Sequence, residues 1–522
     1  MPPKTRSSEV PTLSDVIIIG AGWYGLSATK TFLAVNSSAT IRIIDNGDTI
    51  GGVWSKSRVY PRLVLNQPTP HMEYSDLSMS EVAGGLEDYS DIPGDLVTKY
   101  IETYAEKKDL LKLCQFNTHV VSIERKPDLG PWRIITRPAD NPDGSVEGFQ
   151  CTKLIVATGH KTVPNMPSDL DLTSFSGTVF HAKELGKRHD EIANDESIKS
   201  VTVVGGNKSA FEIAANFGLA RKKVIRSSVL ENRFQEAPRV IQEAESGQDE
   251  AAVRQLIEEG DGIKISHTHI SSMNGRTLHL ANNEAIAADA VIFGTGWKHP
   301  YPLMFSPSLS PDLGIPSPPS SQSLPYREHW SALDTAAEQE ILTQYPILAH
   351  PPQNLNLHLK PAAQCARFFR FMVPPTLAAQ NDHTIIFLGN LHAQSTPLFS
   401  EICALWAVAY LEDLFPANSP INDLLKDRAA MEREAARSNA WARKRHLSLA
   451  VVPMVTFEMR EVIDLLLRDL GVEPERHRMK MKGFGWWGWK GWCREWFTGY
   501  SPVHYRGVLE QFLEAVERGK GK

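Results

Sequence analysis

Short runs of unbroken apolar residues punctuate this chain, and several of them end in glycine. Val16-Ile17-Ile18-Ile19 enters Gly20, residues 26–35 carry the spacing of a helix, and Ile41–Ile44 is apolar again. Continuous apolar runs mark strands buried on both faces, so this order predicts a β-α-β unit with a parallel sheet. Residues 94–113 read as a helix. Residues 118–124 and 132–136 alternate like a small antiparallel layer, joined through Lys126-Pro127-Asp128. Residues 153–157 form another buried strand, which stops at Thr158-Gly159. Val163-Pro164-Asn165-Met166-Pro167 reads as a crossover linker. A second β-α-β unit starts at Val201 and is closed by Ala290–Phe293, again ending in Thr295-Gly296. Residues 300–325 are rich in Pro and Ser and read as a surface excursion. Residues 384–388 return as an apolar strand before Gly389-Asn390, and residues 400–414 read as a helix. The last hundred residues are helical, then aromatic, and no fixed-period repeat is visible beyond the two nucleotide units.

The pattern predicts an α/β fold with two Rossmann-like dinucleotide-binding domains, the second inserted into the first, and a helical, aromatic C-terminal extension. The expected boundaries are a disordered lead-in at 1–13, a first domain at 14–163 and an inserted domain at 164–300. A linker and substrate-side excursion follows at 301–382, the first domain resumes at 383–415, and the extension fills 416–522.

The glycines carry the chemistry. Gly20-Ala21-Gly22-Trp23-Tyr24-Gly25 follows a strand and opens a helix, and Asp45 lies 20 residues beyond Gly25. That is the full dinucleotide fingerprint: glycines for a tight turn and close pyrophosphate approach, a helix N-terminus for the phosphates, an acid for the ribose hydroxyls. Gly51-Gly52-Val53-Trp54, just past that acid, is either a plain turn or a segment lying against the bound ring system. The second turn is Gly205-Gly206-Asn207-Lys208-Ser209-Ala210. Asn207 stands in the central glycine place, where Asn tolerates left-handed angles, and Ala210 in the third, as in NADP-type turns. Arg226 follows the next strand, as a surface cation or as a partner for a 2′-phosphate. Phe175-Ser176-Gly177-Thr178-Val179-Phe180-His181 sits in the connection between the units. Two dinucleotide units in one chain point to a flavin and a nicotinamide brought face to face.

Size and charge narrow this further. At 522 residues the chain has room for two or three full cores. A net charge of −6 offers no general field for nucleic acid. No apolar run reaches the roughly 20 residues that span a bilayer. Cys114, Cys151, Cys365, Cys403 and Cys493 are too far apart for a CxxC pair or a local zinc knuckle, which fits a reducing, cytoplasmic setting and no metal.

With these motifs the chain resembles the class B flavoprotein monooxygenases, and within them the flavin-containing monooxygenases. The family string FxGxxxH is met from Phe175 to His181, with Leu185 where an aromatic residue or proline is usual. GGxW is Gly51-Gly52-Val53-Trp54. The family's LxxNxxxxMxFSD is met by Leu63, Asn66, Met72, Tyr74, Ser75 and Asp76, with Tyr for Phe and one residue more between Asn66 and Met72. DxVIFxTGY is met from Asp289 to Trp297, with Trp for Tyr, and the late FxG element is Phe387-Leu388-Gly389. The Baeyer–Villiger branch is similar in outline but usually carries a Cys-Asp pair where this chain reads Tyr60-Pro61-Arg62-Leu63.

The resemblance implies FAD and NADPH as cofactors and O2 as co-substrate, with NADPH reducing the flavin and a C4a-hydroperoxide passing one oxygen to a soft amine, sulfide or thiol. It implies cofactor contacts from Gly20, Gly22, Trp23, Gly25, Asp45, Gly52, Val53, Trp54, Thr158, Gly159 and Gly389 on the flavin side. On the coenzyme side it implies His181, Gly205, Asn207, Lys208, Ser209, Arg226, Thr295 and Gly296. Asn66 is implied to protect the oxygenated flavin beside NADP⁺, the alternative being that it caps a turn before Pro68. Ketone oxygenation, a reductase without oxygen insertion, and a nucleotide-binding protein without turnover stay open. The excursion and tail hint, by analogy, at specialised metabolism. Trp486, Trp487, Trp489, Trp492 and Trp496, preceded by Arg476, Arg478, Lys480 and Lys482, read as a flap over the body, a membrane-surface contact or an oligomer contact. The substrate and the oligomeric state are not written in these motifs.

Overall fold

The structure, a computed structural model, describes residues 13–87, 89–125, 130–206, 208–220, 222–227, 263–266, 268–350, 365–446, 452–473 and 502–520. Strand β1 (Leu13–Ile19) runs into the first glycine turn, and α1 (Trp23–Val35) leaves it. β2 (Ile41–Ile44) pairs parallel with β1. α2 (Gly94–Lys107) follows, and a short β3 (Cys114–Gln115) extends the sheet beyond β2. The expected helix at 94–113 stops early because Asp109 takes a φ of 55°, which no helix continues through; Leu111–Leu113 is a separate 3-10 turn. β4 (Thr118–Arg125) and β5 (Trp132–Pro138) are antiparallel. Their expected joint, Lys126-Pro127-Asp128, lies outside the described residues, as does the expected tryptophan-rich tail.

The antiparallel pair is not a separate layer. β6 (Glu147–Val156) is ten residues long and pairs with β1 on one side. On the other side its first half pairs with β5, which joins both strands to the main sheet. The resulting order is β3-β2-β1-β6-β5-β4. Side chains of β1 alternate between two cores, as the period of 2 requires. Val16 and Ile18 enter the core under α1, whereas Ile17 and Ile19 enter the opposite one with Trp132 and Ile134.

The chain then leaves this sheet. β7 (Val163–Pro164) leads out to β8 (Thr178–His181), α3 (Leu185–Ala193), β9 (Ser200–Val204), α4 (Lys208–Leu219), β10 (Lys223–Ser227) and β11 (Ile263–Ser266). A small antiparallel sheet of β12 (Ile270–Asn274), β13 (Thr277–Leu280) and β14 (Ala285–Ala287) precedes β15 (Ala290–Phe293). The second sheet is fully parallel, in the order β11-β10-β9-β15-β8. β16 (Trp297–Lys298) brings the chain back by pairing antiparallel with β7. The expected linker at 163–167 is therefore half of a two-stranded ribbon, whose partner lies too far along the chain to be visible locally.

Residues 300–316 are not a surface excursion, whereas 317–325 are mostly exposed, as expected. Tyr301, Met304, Phe305, Leu313 and Ile315 are buried against the open face of the first sheet with Phe368 and Phe387. Pro and Ser there keep regular structure to single turns such as Ser310–Leu313, but the apolar residues between them still follow the gain of roughly 1.5–3 kcal/mol for each large side chain buried. α5 (Leu324–Gln344) follows, and β17 (Ile385–Phe387) re-enters the first sheet beside the second half of β6. This return makes the second unit an insertion in the first. α6 (Thr396–Leu411) is buried along nearly its whole length and packs on α1, where Ser27 and Ser400 hydroxyls meet at 2.7 Å.

α7 (Arg428–His446), α8 (Met459–Asp469) and α9 (Val508–Lys520) form the helical extension. Buried ion pairs tie it to the body. Arg370 donates to Asp469 of α8, which also accepts from the Trp406 indole at 3.0 Å, and Arg370 pairs as well with Glu434 of α7. Among the described residues no helix is long and apolar enough to cross a membrane.

Candidate functional site: two glycine turns and the seam between them

The first turn shows which glycines the fold itself demands. Gly20 has a φ of 112°, and a Cβ there would lie 2.5 Å from the Ala157 carbonyl. A Cβ on Gly25 would lie 1.9 Å from the Gly20 oxygen. Gly22 is different. It is the residue before α1, at a φ of −90°, and its Cβ would meet only Gly52 Cα, at 3.8 Å. A Cβ fits at that place, so the fold itself does not demand glycine there. α1 begins with no side-chain cap and no acid in its first turn, which leaves its N–H groups and positive end open to an anion.

Asp45 sits beside this turn. Its carboxylate accepts from the Ala21 N–H and the Gly47 N–H, both at 2.6 Å. Burial holds its pKa above the usual range, and those two donors oppose the shift. Lone pairs are left for a ribose hydroxyl, since a carboxylate accepts about four hydrogen bonds. Gly51 and Gly52 take φ values of 112° and 61°. The Gly51 N–H donates to the Ala21 carbonyl at 3.0 Å, so the Gly52–Trp54 turn lies against the nucleotide turn. Val53 and Trp54 are half-buried there, and Thr98 donates to the Trp54 carbonyl at 2.8 Å. The Trp23 indole is packed against Tyr74 and Tyr100 with centroids at 5.0 and 5.9 Å.

The carboxyl ends of β6 and β17 complete the rim. Thr158 Oγ1, His160 Nε2 and Asn390 Oδ1 are buried polar atoms without a protein partner. Such atoms are costly unless something else pairs with them. Gly389 has a φ of 77°, and a Cβ there would press on the Tyr24 ring at 3.2 Å. Gly159, at φ 64°, has nothing within 4 Å of its would-be Cβ. The open cradle at Gly22, the uncapped helix and the unpaired polar atoms fit a dinucleotide at the carboxyl edge of the sheet, where parallel α/β folds bind ligands. His160 and Asn390 were not among the expected contacts. The signal was present: each directly follows an expected glycine. Burial and its charged neighbours push the His160 ring down to about 3, so it is neutral.

In the second unit Gly205 is required by packing, since a Cβ would meet the Gly294 oxygen at 2.5 Å and Ala210 Cβ at 2.8 Å. Ala210 fills the contact a third glycine would leave thinner. Lys208 and Ser209 are the first residues of α4, and Asn207 lies outside the described residues. Arg226 is on β10, opposite Val203 and Ile265.

His181 is a latch between strands. Its Nδ1 accepts the Lys183 N–H at 3.0 Å, which leaves Nε2 as the donor to the Gly296 carbonyl at 3.1 Å. Burial pushes the ring down to about 4, with Arg58 and Lys183 acting the same way. Thr295 Oγ1 donates to the Asn165 carbonyl at 2.6 Å, so Thr295 and Gly296 are held at the β7–β16 ribbon. Gly177 has no room for a Cβ, which would lie 2.3 Å from the Asp289 carbonyl. Arg58, which the motifs do not mark, crosses the same seam: it donates twice to the Lys161 carbonyl at 3.1 Å and stacks over Trp297 at 5.2 Å.

Asn66 is exposed on the first unit, and its Oδ1 accepts from the Lys208 ammonium of the second. The rest of its segment is anchored. Tyr74 donates to the Trp23 carbonyl at 2.9 Å, Ser75 N–H to Glu401 at 2.8 Å, and Asp76 pairs with Lys108 at 2.7 Å. Those positions hold the segment down, and Asn66 is presented at its edge.

Comparison with known proteins agrees with this fold. The profile of the family described as "Flavin-binding monooxygenase-like" matches residues 14–233. A "FAD-dependent monooxygenase" from Pyrenophora dematioidea is 29% identical, over 89% of this chain and 99% of its own length. Among solved structures, S-allyl-L-cysteine S-oxygenase from Allium sativum superposes with a TM-score of 0.55 at 15% identity, covering 97% of this chain and 99% of that one. An oxidized steroid monooxygenase bound to NADP gives a TM-score of 0.54 at 15% identity, over 88% of this chain and 99% of that one.

Proposed function

We infer that this chain, a class B flavoprotein monooxygenase resembling the flavin-containing monooxygenases, places one atom of O2 on a soft nitrogen or sulfur of a small organic substrate. FAD and NADPH are its cofactors, and bound FAD supplies the redox chemistry and the activation of oxygen. The Gly20–Gly25 turn and the N-terminus of α1 would hold the FAD pyrophosphate, and Asp45 the ribose. Thr158, Gly159, Gly389 and Asn390 would close the flavin side. The Gly205 turn with Ser209, and Arg226 at the end of β10, would take NADPH, and the His181 latch would hold the Thr295-Gly296 turn in place. Asn66 would hold the flavin and NADP⁺ in register, since an amide donates and accepts at once.

One observation carries this reading. Asn66 from the first unit and Lys208 from the first turn of α4 in the second are in direct contact. The seam between the two nucleotide units is thus where both rings would meet. Heteroatom oxygenation is favoured over ketone oxygenation because Tyr60-Pro61-Arg62-Leu63 brings no carboxylate to the seam. Oxygen transfer to an amine or sulfide needs no nucleophile from the protein. A role in specialised metabolism is part of the same proposal.

The test is NADPH oxidation under ¹⁸O₂ with a panel of amines, sulfides, thiols and ketones, with product mass. An N- or S-oxide carrying one ¹⁸O is expected. An ester from a ketone would move the reading to Baeyer–Villiger oxygenation. NADPH consumption with no label in any product would make the chain a reductase.

A further inference from the structure

α4 meets the first unit along one stripe. Lys208, Glu212 and Asn216 are spaced by four residues, which places them on one helix face. Lys208 donates to Asn66 and pairs with Glu212 at 3.4 Å. Asn216 Nδ2 donates to the Pro61 carbonyl at 2.5 Å, and its Oδ1 faces His189 Nε2 at 2.7 Å. α3 seats beside it, with Gly186 so close to Ser57 and Arg58 that a Cβ would lie 2.6 Å from their backbone. The inserted unit therefore grips residues 57–66 of the first one through a fixed polar register, and Lys208 is the end of that register.

An ammonium group has only donors. The atom of Asn66 that faces Lys208 must therefore be its oxygen, which decides an amide orientation that shape alone leaves open. We propose that Lys208 is a positioning residue for Asn66: it holds the amide oxygen toward α4, so that the Nδ2 donors are the group offered to the bound flavin. Glu212, largely buried on the next turn, keeps the Lys208 side chain folded along the helix. This rests on the role of Asn66 proposed above. It gives the second unit a direct hold on the residue that guards the oxygenated state.

FAD-loaded protein tests this with two kinds of readout. In thermal unfolding, the shifts caused by Lys208→Met and Asn66→Ala should be less than additive in the double variant. Under turnover conditions without substrate, Lys208→Met should slow anaerobic reduction by NADPH less than threefold. It should speed the return of the oxidised flavin spectrum in air, with peroxide release, by about tenfold, the worth of one charge-assisted hydrogen bond. Lys208→Arg, which keeps the donors, should recover most of that loss and also covers the case that the Met variant folds poorly. Additive thermal shifts, or a raised Michaelis constant for NADPH with unchanged reoxidation, would assign Lys208 to the coenzyme alone and overturn the proposal. If Asn66→Ala itself leaves reoxidation unchanged, the Asn66 reading fails and this one falls with it. Faster reoxidation in Asn66→Ala but not in Lys208→Met would sink this inference alone.

Discussion

Gly22 separates binding from folding more cleanly than any other residue of the first turn. A Cβ on Gly20 or Gly25 would collide with backbone, whereas one on Gly22 would meet only Gly52 Cα, at 3.8 Å. Gly22→Val should therefore fold and lose FAD. Purified protein should lack the yellow chromophore while circular dichroism stays native; stoichiometric FAD in the variant would remove Gly22 from the pyrophosphate site. Arg226 is the residue proposed above for the coenzyme side, near the end of the second strand of its unit. A charge-assisted contact to a 2′-phosphate contributes about 1.5–3 kcal/mol, which is roughly 10- to 150-fold in affinity. Arg226→Ala should raise the Michaelis constant for NADPH by that range and leave NADH use nearly untouched. Equal losses with both coenzymes would exclude it. The candidacy of these two residues, which only such variants test, was legible because their place in a strand–turn–helix unit follows from spacing. Arg58 was not legible in this way, because what marks it is a stack on Trp297, which does not exist before the chain folds.

At the scale of elements, β8 and the ribbon show what a histidine picked out by its motif does within the fold. The Phe175–His181 string was found by sequence, but its histidine has both ring nitrogens committed to backbone. A neutral ring is required for that wiring, because Nδ1 must accept. The pKa is held near 4 in the fold and returns to its ordinary value near 6.5 on unfolding. Protonation therefore favours the unfolded chain, and stability present above pH 6.5 is lost as pH falls toward 4. His160, held down to about 3, loses its share in the same direction. Urea unfolding at pH 7.5 and pH 5 should show the drop. His181→Asn should be less stable at pH 7.5 but should lose less on acidification; an identical pH dependence in both proteins would show that His181 carries no part of it.

Across the whole molecule, one carboxylate joins elements from distant parts of the first domain. Glu401 on α6 accepts from Lys30 of α1 at 2.8 Å and from the Ser75 N–H at 2.8 Å. Ser75 lies nine residues beyond Asn66, so the same carboxylate anchors the segment that presents the proposed guard. Lys30 is mostly buried, and Asp76 at 3.5 Å is its remaining acidic partner. Glu401→Gln should cost roughly 3 kcal/mol of stability, the scale for breaking a buried ion pair by removing one member. A midpoint in urea unchanged from the parent would contradict this.

By itself the sequence determined the two nucleotide units, their order and the insertion of one in the other. Those features rest on local physics: a glycine where no Cβ fits, an apolar run where both faces are buried, a helix N-terminus where an anion binds. Only the tertiary structure decided that 163–164 is a strand, because its partner is Trp297–Lys298. It alone decided that 301–315 is core, because the surface that buries it is the face of a sheet built from residues 13–156 and 385–387. The meeting of Asn66 with Lys208 belongs to the same class. Contacts between residues 142 apart carry no periodicity that a reading along the chain can detect. They arise when the inserted unit docks, and the seam they form is where the proposed chemistry would take place.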